Sequence, residues 1–231
     1  MSFPRHPQEI VLRNDFYPRG LKEVDIYNYY MKVKDKILQQ VAGRDLFFVV
    51  AIDENRTIIF RHGQMTRFLR LNSSNYERVI HGRVVGIHST MHRLEDIAIV
   101  DVDTLDFSQA KQAALDTYNF LKKLPRISNV TIRFTGKTGF HVFCELDKKY
   151  DIDATRNWLN RELEASELSE AYSINAKKRI PGVTNLDLAP NKFRGGFITL
   201  YSLSSWGLRC LPLMPKQLPL FRREDAKIEV S

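Results

Sequence analysis

The 231-residue sequence predicts an α+β fold, a mostly antiparallel sheet backed by helices. Three observations lead there. "DIAIVDVD" (96–103) is a strand-like run with apolar residues on both faces, and an amphipathic helical segment follows it. "NVTIRF" and "FHVFCEL" are strand-like runs joined by a short glycine-bearing turn, which is the signature of a hairpin. A second long helical segment then precedes two more short strand-like runs, "VTNLDLA" and "FITLYSL". With 43% hydrophobic residues the chain can bury a core, so global disorder is not expected.

The elements follow in order. "FYPRG" ends in turn residues and leads into "LKEVDIYNYYMKVKDKILQQVAG". There Ile26, Tyr29, Tyr30, Val33, Ile37 and Val41 recur at helical spacing, and Gly43 supplies a stop. Tyr27, Tyr29 and Tyr30 are read as core or helix surface rather than base-stacking platforms. "DLFFVVAI" and "RTIIFRH", separated by Asp53, Glu54 and Asn55, read as a second hairpin. Residues 62–93 mix short apolar pieces with arginines and with His62, His81, His88 and His92. No helical apolar stripe surrounds His88 and His92 and no cysteine is near, so surface or phosphate-facing histidines are expected there rather than a metal site.

In "FSQAKQAALDTYNFLKKL" Ser108 is the expected cap, and Phe107, Ala110, Ala114, Tyr118, Leu121 and Leu124 form one stripe before Pro125 bars continuation. "DATRNWLNRELEASELSEAY" is expected to be one long helix capped by Asp153. A Pro-rich stretch and a charged tail close the chain. No repeat and no internal boundary stand out. The expectation is one domain over 1–231, with a helix-and-hairpin module (1–95) packed on a core (96–220) and a tail (221–231).

Charge narrows the partner class. Lys and Arg total 35 against 27 Asp and Glu, a formal +8, which suits a polyanion. The two cysteines, Cys144 and Cys210, form no C-x-x-C pair, so neither zinc nor a disulfide framework is expected. "MSFPRHPQEI" lacks the apolar stretch of a signal peptide and no run of 18 apolar residues occurs. A cytoplasmic protein with no membrane association is expected, nucleoid-associated if prokaryotic.

Three places carry chemistry. "RFTGKTGFH" (133–141) contains Gly-Lys-Thr, but a P-loop would need glycine where Thr131 stands and a helix where "FHVFCEL" stands. The turn is either an ordinary hairpin or an anion cradle whose glycines bare backbone N–H groups beside Lys137. Asp101 and Asp103 leave a central strand on one face, because residues i and i+2 share a side. Two like charges so placed are costly unless a cation joins them, and hard oxygen donors suit Mg²⁺ or Mn²⁺. The competing reading is a solvated strand end or a capping turn. Asp187, bracketed by Leu186 and Leu188, projects away from its apolar neighbours. Three such carboxylates can hold two hard cations for phosphoryl transfer.

These motifs and their order resemble the archaeo-eukaryotic primase (prim-pol) superfamily: "DVD", a helix, the hairpin "TGKTGFH" ending in His141, then Asp187. The resemblance covers most of the chain. "FYPRGLKEVDIYNYY" is similar to the helix start in the polymerase domains of end-joining DNA-repair ligases, and "VTNLDLAPNKFRGGFITLYSLSSWGL" to the last motif of both those domains and archaeal primase small subunits. It implies an RRM-like catalytic sheet and a DNA primase/polymerase. It implies metals on Asp101, Asp103 and Asp187, and an incoming NTP or dNTP held by Thr135, Gly136, Lys137, Thr138, His141, Lys192, Arg194 and Ser202. DNA template and primer are the implied partners, with a ligase or primase large subunit as a further one. Arg67, Arg70 and Arg83 are candidates for template phosphates. Two departures stand out: Ser204 follows "YSL" where the family carries a basic residue or histidine, and Lys137 is one place earlier than in the repair polymerases. The alternatives are a catalytically silent RRM-like nucleic-acid binder and a metal-dependent nuclease.

Overall fold

A computed structural model describes residues 11–51, 57–60, 69–80, 84–176 and 182–230. The chain forms two compact units: residues 1–89, 198–210 and 222–231 in the first, residues 90–197 and 211–221 in the second.

In the first unit β1 (Val11–Asn14) and β2 (Tyr17–Lys22) form an antiparallel pair. Asn14 makes the turn: its Oδ1 accepts from the N–H groups of Phe16 (2.9 Å) and Tyr17 (3.2 Å), the local bond that makes Asn a turn residue. The expected single helix is two, α1 (Glu23–Lys32) and α2 (Lys34–Val41). Val33 between them leaves helical geometry at φ −105°, ψ 10°, a break that a β-branched residue resists less than Ala or Leu would. The apolar stripe runs on across the break, with Ile26, Tyr30, Ile37 and Val41 all buried. Gly43, at φ +73°, closes the second helix as expected. β3 (Leu46–Ala51) and β4 (Thr57–Phe60) pair antiparallel, as the hairpin reading requires. α3 (Tyr76–Ile80) then precedes β5 (Val84–Thr90), and β3 lies between β4 and β5.

The second unit is built on a six-stranded sheet. Its elements are β6 (Leu94–Asp103), α4 (Phe107–Leu121), β7 (Ile127–Phe134), β8 (Phe140–Asp151), α5 (Ile152–Glu164), α6 (Leu168–Ala171), β9 (Ser173–Ile174) and β10 (Asn185–Asp187). β11 (Gly196–Ile198) carries the chain back into the first unit, and β12 (Leu211–Leu213) returns to this one. The strand order is β12-β7-β8-β6-β10-β9. Its centre, β7-β8-β6-β10, is wholly antiparallel and follows β-α-β-β-α-β connectivity, the RRM-like arrangement.

Burial explains the centre. Ala98, Ile99, Val100 and Val102 of β6 are fully buried, so both faces of this strand are covered. On one face α4 lies close because Ala110, Ala113 and Ala114 are small, and Phe107 packs its ring on Phe134, Phe140 and Phe221 at 5.7–6.2 Å. On the other, Ile99 and Phe143 cluster with Met91, Ile152 and Phe197.

Both helix caps differ from expectation by two residues. Asp106, not Ser108, caps α4 by accepting from the N–H groups of Ser108 (2.7 Å) and Gln109 (2.9 Å). Asp151, not Asp153, caps α5 by accepting from Asp153 and Ala154. A cap must stand two to three residues before the N–H it receives, and each carboxylate two residues back meets that condition. Asp153 instead pairs with Arg93 at 2.8 Å. The long second helix also stops early, at Glu164, before the separate turn α6. Among the described residues no helix is long and apolar enough to cross a membrane.

Candidate active site

The central strands bring the sequence's key residues into one row. In the strand register Asp187 of β10 opposes Asp101 of β6, Asp101 opposes His141 of β8, and His141 opposes Arg133 of β7. Directly opposed residues share a face, with Cα atoms roughly 4.5–5.5 Å apart. Four adjacent strands thus present Asp187, Asp101, His141 and Arg133 side by side. Asp103, two residues beyond Asp101, stands on the same face opposite Asn185. Leu186 and Leu188 are fully buried on either side of Asp187, which turns its carboxylate the other way.

The row is polar but only partly open. His141 is buried, and its Nε2 lies 3.5 Å from Asp101 Oδ1, whose side chain keeps 31% of its surface exposed. Asp187 holds its orientation by accepting the Ala189 N–H at 2.7 Å. Arg133 lays its guanidinium 3.4 Å from the centre of the Phe143 ring, a cation–π contact that fixes it beside His141. Acid therefore occupies one half of the row and nitrogen donors the other.

Beside the row stands the hairpin turn, residues 135–139. Thr135 closes it: its N–H and its hydroxyl both donate to the Gly139 carbonyl, at 3.1 and 2.9 Å. Gly136 sits at φ +88°, a conformation that favours glycine. Gly139 is glycine for a different reason. A Cβ there would come 2.7 Å from the carbonyl of Val102, so the turn seats on the backbone between Asp101 and Asp103. Lys137 is exposed and Thr138 half-buried.

A second loop, residues 188–195, follows Asp187 and is fastened to the same strand. Asn191 is fully buried; its Oδ1 accepts the Ile99 N–H at 2.8 Å and its Nδ2 donates to the Ile99 carbonyl. One side chain thus stands in for a strand neighbour, two residues before Asp101. At the loop's far end Arg194 donates its N–H to Met91, and Met91 donates to Gly195, both at 2.9 Å. Arg194 takes φ +61°, and a Cβ on Gly195 would fall 2.0 Å from the Pro190 carbonyl. Lys192 and Arg194 are exposed on this tightly held loop.

The remaining candidates belong to the first unit or to residues outside those described. Ser202 belongs to the first unit and is fully buried. Its Oγ accepts the Ile87 N–H at 2.6 Å and donates to the Leu203 carbonyl at 3.2 Å, so the hydroxyl is engaged within that unit. Arg70 is also in the first unit, largely exposed and 3.1 Å from Asp45. Arg67 and Arg83 lie outside the described residues.

The residue that sequence reasoning missed is Arg133. In "NVTIRF" it reads as an ordinary polar position in an alternating strand. The signal was available in the turn: residues 135–139 joined as a symmetric hairpin make Phe134 oppose Phe140, and Arg133 then opposes His141.

The donor chemistry fits a hard divalent cation. Three carboxylates on neighbouring strands share a face, and no thiolate competes. Among the described residues no three His, Cys, Asp or Glu side chains close on one point, so the fit is one of residue type and register.

No protein-family model matches the sequence, and no curated protein matches it. The fold is similar to that of a solved structure, the polymerase domain of Ligase D from Mycobacterium tuberculosis, determined in complex with DNA. It superposes with a TM-score of 0.73 over 93% of this chain and 91% of that one, at 16% sequence identity. The chain has the fold of that polymerase domain, an α+β architecture of antiparallel and mixed sheets backed by helices.

Proposed function

We propose that this chain is a template-dependent nucleotidyltransferase, a DNA primase/polymerase that adds nucleotides to a 3′-hydroxyl in priming or repair synthesis. The observation that carries the reading is the register Asp187–Asp101–His141, with Asp103 on the same face. A row of carboxylates running into a row of nitrogen donors suits a reaction between a hydroxyl and a polyphosphate. The shared fold supports the reading, and the neighbour's bound DNA supports nucleic acid as partner.

Asp101, Asp103 and Asp187 would hold one divalent ion, and Asp101 with Asp103 the other. Two Mg²⁺ or Mn²⁺ ions, when bound, lower the pKa of a 3′-hydroxyl and neutralise the leaving pyrophosphate. The chain itself supplies position and charge. Thr135, Gly136, Lys137 and Thr138 cradle the triphosphate on the hairpin turn. His141 and Arg133 donate to its oxygens from the row beside it. Lys192 and Arg194 add positive charge from a loop that Asn191 locks to β6. Arg67, Arg70 and Arg83 are the proposed contacts to template phosphates. Ser202 is left out of the site, because its hydroxyl already serves Ile87 and Leu203.

The test is extension of a labelled primer–template with Mg²⁺ or Mn²⁺ and each class of nucleotide. Longer products are expected, and Asp101→Ala should abolish them while DNA binding persists. Shortened primers would replace this reading with a nuclease. An untouched primer on tightly bound DNA would replace it with a silent binder.

A further inference from the structure

The far end of the catalytic sheet carries an unusual charge concentration. Residues 122–126 link α4 to β7, and residues 147–150 lie near the end of β8. Together these nine positions hold Lys122, Lys123, Arg126, Lys148 and Lys149 against Asp147 alone, a net +4 and half of the chain's +8. The two segments are joined directly, since Asp147 donates its N–H to the Arg126 carbonyl at 3.0 Å. All five cationic residues are exposed. Beyond the segment, Asp151 and Asp153 are matched by Arg93 at 2.8 Å, while Glu145, just before it, is exposed.

Arg126 is held in place here. Its guanidinium lies 5.2 Å from the centres of both the Tyr150 and the Trp158 rings, and Lys148 Nζ lies 5.4 Å from that of Tyr150. Aromatic neighbours restrict an arginine without neutralising it, so less ordering is lost when its N–H fork meets an anion. An isolated exposed lysine lacks that advantage.

The position gives the cluster a scale. His141 opposes Asp101 and Tyr150 opposes Glu95, with extra β8 residues looped out between Glu145 and Tyr150, so six residues of β6 separate the two levels, about 20 Å at ~3.3 Å per residue. A nucleic-acid strand rises ~3.4 Å per nucleotide. We infer that Lys123, Arg126, Lys148 and Lys149 form a second, remote contact for a phosphodiester backbone, about six nucleotides from the reacting end. The inference rests on the proposed polymerase reading for its partner. The cluster then acts as an anchor: it sets affinity and salt dependence, and takes no part in chemistry.

The experiment measures the affinity of the full chain for primer–templates with duplex arms of 4, 8, 12 and 16 base pairs, over 50–200 mM NaCl. Wild type should tighten sharply once the arm, or the single-stranded template tested the same way, exceeds about six nucleotides. The triple variant Arg126→Ala/Lys148→Ala/Lys149→Ala should bind short DNA as wild type does. On long DNA it should bind at least tenfold more weakly, with the log K against log salt slope smaller by about 0.9 for each phosphate no longer neutralised. The pair Lys148→Gln/Lys149→Gln leaves the Arg126 packing intact and should show the same loss in part, which guards against a folding artefact. Equal affinities and slopes at every length would overturn the inference. So would equal competition by polyglutamate, which would mark undirected charge. Extension at saturating DNA should be unchanged in both variants. Length-dependent binding without any extension by wild type would defeat the polymerase reading and leave the anchor standing.

Discussion

The two ends of β8 show two ways of making a site. At its start, His141 is buried and in register with Asp101 and Arg133. Near its end, Lys148, Lys149 and Arg126 are exposed, with Arg126 and Lys148 set against aromatic rings and Arg126 joined by one backbone bond. The first is built by strand pairing, so each side chain has one address. The second is built by charge density around one ring-held arginine, so its members add up rather than each being indispensable. Substitutions at the first end should act on chemistry and be nearly all-or-none. At the second they should act on affinity, be graded and fade with salt.

After Asp101, the largest expected effect is at Asp187, the member of the row contributed by a three-residue strand. Asp187→Asn keeps the volume and removes the charge. Primer extension should fall by on the order of 10³-fold, the scale of losing one preorganised electrostatic group. DNA affinity should stay within about twofold. A rate within tenfold of wild type would break the claim that register builds the site.

Arg133 comes next. Removing a charged hydrogen-bond donor to phosphate is worth roughly 1.5–3 kcal/mol. Arg133→Ala should therefore raise the KM for nucleotide about ten- to hundredfold while kcat changes less. Arg133→Lys should restore part of the loss, since the charge returns without the flat contact on Phe143. A fall in kcat at unchanged KM would move Arg133 out of nucleotide binding.

How far this was legible in the sequence follows the same division. "DIAIVDVD" announces a strand buried on both faces that ends in two acids, and β6 is that strand. The Leu-Asp-Leu pattern turns Asp187 away from the core, as found. These are local signals of period two. What sequence hid is what pairing decides. No local pattern says that β10 lies against β6 at Asp101, or that β12 joins the far edge beside β7. The caps were misplaced because several Asp and Ser residues crowd each helix start and only backbone geometry selects one. Ser202 matched a family motif by position, yet its hydroxyl is engaged in the first unit's core.

Asn191 tests the structural side of the comparison. Asn191→Leu would leave the Ile99 N–H and carbonyl buried without their partner. Each such group costs roughly 1–3 kcal/mol, so unfolding free energy should drop by about 2–4 kcal/mol in a urea titration. Lys148→Ala/Lys149→Ala at the exposed end should stay within about 0.5 kcal/mol of wild type. If both variants lost the same stability, the two ends would not differ as described.

The smallest effect is expected midway, at Cys144, which lies between the two ends of β8 in the dry centre of the sheet. Burial pushes its thiol pKa well up, because the low-dielectric core disfavours the thiolate. The thiolate is the reactive form, so a raised pKa means less of it at any pH below that value. A thiol-specific reagent at pH 8 should leave Cys144 unmodified in the folded chain. In denaturant the group returns toward its ordinary pKa of about 8.5 and should react readily. Modification of the folded protein at the denatured rate would show that water reaches the middle of β8, and the sheet could not then hold one end in strict register while the other stays open.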